Sequence, residues 1–135
     1  MAHIDRTFVS VALMWLMVGM FLGLYIDLTH STQFVSLHTT MLLPGFVMLT
    51  VYGALHRLWP AMKEAGLAKV QFWFAILATF GQVFGAYQFA TTGGTDATLV
   101  MVSSVMAILG GLLMGWLFWT KSGETAWHAP VHKHA

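Results

Sequence analysis

The chain has 135 residues, 58% of them hydrophobic and 8% charged, against about 25% charged residues in an ordinary soluble domain. That gap excludes a soluble globular domain, and no nucleic-acid partner is expected; the formal net charge of +1 says little, whereas the placement of the charges says more. Cysteine is absent, which excludes disulfides, thiolate metal sites, iron–sulfur clusters and covalent c-type haem attachment.

The opening MAHIDRTF carries Asp5 and Arg6 before a long apolar run, with no small-residue cleavage site at signal-peptide distance. A retained first span is therefore expected rather than a signal peptide. It covers about residues 8–27, with Ser10 the one clearly polar residue from Phe8 to Ile26, and about 20 apolar residues suffice to cross a bilayer core as a helix. Residues 27–33 (DLTHSTQ) form a polar turn. A second span runs over about 34–59 and stops at Pro60, as a proline stop predicts. Residues 61–69 read as a short charged loop, about 70–90 as a third span, and TTGGTD at 91–96 as a tight turn. The fourth span is about 97–120, followed by a polar tail over 121–135. The loops are too short to fold separately. The expected fold is all-α, a single integral membrane domain built as an antiparallel four-helix bundle.

Every lysine and arginine falls at the start (Arg6), between the second and third spans (Arg57, Lys63, Lys69) or in the tail (Lys121, Lys133). The positive-inside rule then places both termini in the cytoplasm and the chain in the cytoplasmic membrane. His38 falls near the outer face and His56 near the inner face. Three spans carry Gly-x-x-x-Gly, at Gly19/Gly23, Gly81/Gly85 and Gly111/Gly115, a spacing that lets helix backbones approach closely in lipid. Glycine is also simply frequent in membrane helices.

The second span carries the chemistry. His38, Leu42, Gly45, Leu49, Tyr52 and His56 follow one helical stripe. The two histidines are separated by roughly 27 Å along a helix rising 1.5 Å per residue, too far to share one metal or one haem. A histidine inside a bilayer is costly unless something binds it, and neutral imidazole is a common ligand for haem iron. His38 is thus a candidate axial ligand; its structural alternative is a buried polar residue bonded to Thr39, Thr40 or a neighbouring helix. Gly45, two turns below, removes bulk where a flat macrocycle lying along the helix needs room. Pro44 frees the Thr40 carbonyl and is expected to bend the span. His56, beside Arg57 and Trp59, reads first as an interfacial residue and only secondarily as a metal ligand. The ten methionines spread at core spacing and read as packing rather than copper ligands, although Met41, Met101 and Met106 fall toward the outer half, within reach of a metal near His38. His128, His132 and His134 of the tail form a weakly specific metal-binding pattern.

LHTTMLLPGF followed by VYGALHRLWP resembles the second helix of the haem–copper oxidase catalytic subunit, in its cbb3-type oxidase and nitric oxide reductase branch. KVQFWFAILATFGQ resembles that family's third helix. The resemblance extends over roughly residues 8–120, as four helices of a much larger subunit. It implies that His38 ligates b-type haem near the outer face, with Gly45 and Met41 beside the cofactor. The family's second haem ligand and its copper-ligand histidines come from later helices that this chain does not include. Oxygen or nitric oxide reduction by this chain alone is therefore not expected. The resemblance implies an oligomeric haem b protein in electron transfer or small-ligand sensing. The alternative is a cofactor-free structural or assembly subunit beside respiratory-chain subunits; a third is a metal or haem carrier using the tail. The family's subunit resembles three four-helix arcs about a pseudo-threefold axis, so a trimer of this chain would imitate it. A dimer would supply a bis-histidine site across a twofold axis.

Overall fold

The computed structural model describes residues 3–123. It is helical, and no strand occurs among the described residues. Helix α1 spans Ile4–Thr29 and α2 spans Thr32–Leu58. A short α3 covers Pro60–Glu64, α4 covers Gly66–Thr91, and α5 covers Thr98–Lys121. All but α3 are long and apolar enough to cross a membrane. Their outward surfaces are apolar as well, with Phe21, Leu28, Met101, Leu112, Trp116 and Trp119 exposed. A helix of a soluble bundle turns polar residues outward; helices apolar on every side belong in lipid.

The ends of α1 and α4 are set by backbone chemistry. His30 closes α1 in the left-handed region at φ 55°. Gly93 and Gly94 take φ of 67° and 82° in the turn before α5, a conformation open to glycine at little steric cost. Asp96 finishes that turn: its carboxylate accepts the Thr98 N–H at 3.0 Å and the Gln88 Nε2–H at 2.8 Å.

Two packings dominate, α1 with α2 and α4 with α5. The three Gly-x-x-x-Gly pairs fare differently. Gly81 and Gly85 lie against Ser103 and Val100 of α5. Gly19 and Gly23 receive side chains of α2. Of the third pair, Gly111 faces the Tyr52 hydroxyl, while Gly115 meets nothing.

Helix α2 is not uniform. A 3₁₀ turn at Thr32–Phe34 leads into α-helix at Val35–Thr40. A π-helical segment follows at Met41–Met48, and α-helix resumes at Leu49–Leu58. Pro44 sits inside the wide segment. Proline has no N–H to offer the carbonyl four residues back, whereas the π pattern pairs each carbonyl with the N–H five residues on. The Gly45 N–H is then in phase with Thr40, the carbonyl that an α-helix would leave unpaired. The wide turn also resets the buried stripe. Leu37, Met41, Gly45 and Leu49 are buried at a spacing of four, while His38 and Leu42 are only half-buried. Leu58 is the last residue of α2, and Pro60 opens α3 in its first turn, where its missing N–H is harmless. The stretch read as a loop is therefore largely helical, with α4 beginning at Gly66.

Candidate ligand site at His38

His38 is positioned by α1. Its Nδ1 lies 2.8 Å from the carbonyl oxygen of Gly19. A carbonyl can only accept, so Nδ1 carries the proton and donates it. In the neutral ring that puts the lone pair on Nε2, the atom through which an imidazole can then bind a metal. A histidine ligand characteristically donates its other ring N–H to a carboxylate or backbone carbonyl, which fixes tautomer and ring orientation. The ring is seated by Gly23: a Cβ there would lie 2.8 Å from His38 Cε1 and 3.5 Å from Nε2. Gly19 does the same for Leu42, whose Cδ2 would meet a Cβ at 2.9 Å. The first Gly-x-x-x-Gly thus accepts an imidazole and a leucine rather than another backbone.

The space beside Gly45 is filled. A Cβ at that position would meet Trp15 Cγ at 2.9 Å and Trp15 Cδ1 at 3.1 Å. The glycine makes room for an indole of the same chain. Trp15 in turn packs edge-on against Phe80, with centroids 5.0 Å apart. Met41 is buried in the core, its Cβ near Gly19. Met101 is exposed.

His56 does not sit at an interface, as its neighbours Arg57 and Trp59 suggest. It is 0% exposed. Its ring stacks on Phe8, with centroids 5.8 Å apart and planes 8° apart. Its Nε2 donates to Gln71 Oε1 at 3.3 Å. Among the described residues, His56 Nδ1 and Gln71 Nε2 find no partner. Phe8 also packs edge-on against Tyr52 and Phe72, so the ring on which His56 stacks belongs to an aromatic cluster. Full burial is at odds with a snorkelling side chain.

Near it lies a charge cluster absent from the sequence reading. Asp5 is 4% exposed and is bridged by Arg57 at 3.3 Å and Lys63 at 3.4 Å. Opposite charges at span ends on one side of the membrane are the signal for such a cluster. Gln71 had a weaker signal, a polar residue just inside a span.

The residues present fit a haem in one respect and not in another. His38 offers a nitrogen donor with its tautomer fixed. A cavity of about 210 Å³ opens on the same half of α2, lined by Ser36, Thr40 and Gln82 among others. His38 does not line it, and it is below the roughly 300 Å³ at which pockets for drug-sized ligands begin. One chain alone does not enclose the macrocycle. No group of three or more His, Cys, Asp or Glu side chains converges among the described residues. The tail histidines His128, His132 and His134 lie outside the described residues.

No protein-family model matches the sequence, and neither a curated protein nor a solved structure matches it.

Proposed function

We propose that the chain is a multi-pass protein of the cytoplasmic membrane that presents His38 as an axial ligand to b-type haem, at an interface between copies of itself. The observation that carries this reading is the 2.8 Å bond from His38 Nδ1 to the Gly19 carbonyl, which in the neutral ring places the lone pair on Nε2. When bound, the haem would supply one-electron transfer or binding of a small ligand at iron. The chain's part is to hold the imidazole against Gly23 and to fix its orientation through the Gly19 carbonyl. The four long helices are read as an antiparallel bundle, with both termini cytoplasmic. Pairings of Gly23 with His38, Gly19 with Leu42, and Gly53 with Val9 support opposed directions for α1 and α2. The missing enclosure and the missing second ligand favour an oligomer. His38 of a second copy in a dimer, or the grooves of a three-membered ring, would provide what one chain lacks.

The filled space at Gly45 favours a second reading, a cofactor-free structural or assembly subunit of a respiratory complex. A visible spectrum of the protein purified after expression with haem supply separates the two. A Soret band that sharpens on reduction, and that His38→Ala abolishes, is expected. A colourless protein, or a band that survives His38→Ala, overturns the haem reading.

A further inference from the structure

A second concavity lies at the opposite end of α2 from His38. It is a groove of about 510 Å³ between α1 and α2, with Arg6 and Arg57 on its walls. Ser10 and Thr50 contribute hydroxyls, and Val9 and Ala54 contribute apolar surface. Asp5 also lines it, but its carboxylate is 4% exposed and already held by Lys63 and Arg57. Arg57 is 69% exposed in its side chain and spends one 3.3 Å contact on Asp5. Arg6 is exposed and carries no ion pair among the described residues. The groove is therefore lined by two arginine side chains together with hydroxyls and apolar side chains.

From this we infer that the groove is a binding site for the headgroup of an anionic phospholipid, with an acyl chain lying along α1 and α2. Guanidinium groups match phosphate oxygens in a two-point geometry. Basic pockets between membrane helices on the cytoplasmic side are suited to anionic headgroups. Charge complementarity selects a net anionic headgroup over a zwitterionic one, and the apolar walls select a lipid over a free anion. The inference rests on the membrane reading, though not on haem.

The test uses the full chain in a neutral maltoside detergent, titrated with phosphatidylglycerol and followed by native mass spectrometry. One retained phosphatidylglycerol per chain is expected, with phosphatidylcholine retained far less. Arg6→Gln should weaken retention about fivefold, from roughly 1 kcal/mol per cationic side chain near an anionic surface. Adding Arg57→Gln should weaken it further, whereas Lys69→Gln should not. Arg6→Gln breaks no ion pair or side-chain hydrogen bond among the described residues, so it reads the site even where the double variant fails to fold. Equal retention of both lipids, or unchanged retention in Arg6→Gln, overturns the site. Displacement by millimolar inorganic phosphate overturns the lipid as its occupant. A chain that stays in solution without detergent defeats the membrane reading instead, and is seen before any lipid is added.

Discussion

His38 and Gly19 stand 19 positions apart, yet the imidazole Nδ1 of one and the carbonyl oxygen of the other are 2.8 Å apart. This bond decides which ring nitrogen keeps a lone pair. It also makes α1 as responsible for the candidate site as the helix that carries the histidine.

Gly23→Ala therefore tests the site without touching the histidine. The new methyl would lie 2.8 Å from Cε1 of the ring and must push it. Overpacking of this kind costs about 1–3 kcal/mol. Haem content per chain, read from the Soret absorbance, should fall well below wild type while the protein stays in the membrane. Unchanged haem content would mean that ring position is immaterial to binding.

Gly45→Ala should act on stability. Trp15 fills the space beside Gly45, and a methyl there would lie 2.9 Å from the indole. A loss of about 1–3 kcal/mol is expected, measured by unfolding in a detergent–denaturant titration. If Trp15→Phe is added, part of the loss should return.

His56 and Gln71 form a pair whose removal is asymmetric. His56→Leu leaves the Gln71 amide buried without its partner, at a cost of about 1–3 kcal/mol, and Gln71→Leu does the same to the imidazole. Replacing both should cost less than the two single losses added together. A double-mutant cycle on unfolding midpoints measures the coupling. Additive losses would show that the 3.3 Å contact contributes nothing. The haem spectrum should be unaffected throughout.

Asp96 gives a pH dependence. The Thr98 N–H, with a further bond from Gln88, holds its carboxyl below the ordinary carboxylate range. A depressed folded-state pKa contributes stability that is complete above the ordinary carboxylate pKa and is lost as pH falls through the folded-state value. Thermal unfolding should thus show a small acid-side decline that Asp96→Asn removes. A decline of the same size in Asp96→Asn would assign it to another group.

The proposed orientation predicts that a C-terminal tag resists protease added to intact spheroplasts and is cleaved only after lysis. Cleavage from outside would move His38 to the cytoplasmic side.

Much of the helical layout was legible in the sequence, because hydropathy registers each long apolar run whatever it packs against. The inside of α2 was legible only in part. Pro44-Gly45 marked where the α-helix must fail, but not that it would widen rather than bend. The widening moved the buried stripe from His38 and Leu42 to Leu37 and Met41. The roles of Gly45 and His56 depended on partners in other helices, Trp15 and Phe8 from α1 and Gln71 from α4. Spacing along one helix carries no record of such partners. His38 stood out as a histidine inside an apolar span, whereas the seat supplied by Gly19 and Gly23 looked like an ordinary helix-packing motif.

The ion pairs of Asp5 carry a consequence for how the chain enters the bilayer. Asp5 emerges from the ribosome at the head of a hydrophobic segment, some fifty residues before Arg57 and Lys63. Its own helix offers only the neighbouring Arg6, while its two partners lie in the last turn of the second helix, Arg57, and just beyond it, Lys63. At one end the first two helices are joined by the turn at 30–31; at the other they are clasped by Asp5 with Arg57 and Lys63. The first two helices thus form a hairpin closed at both ends, against whose second helix α4 packs.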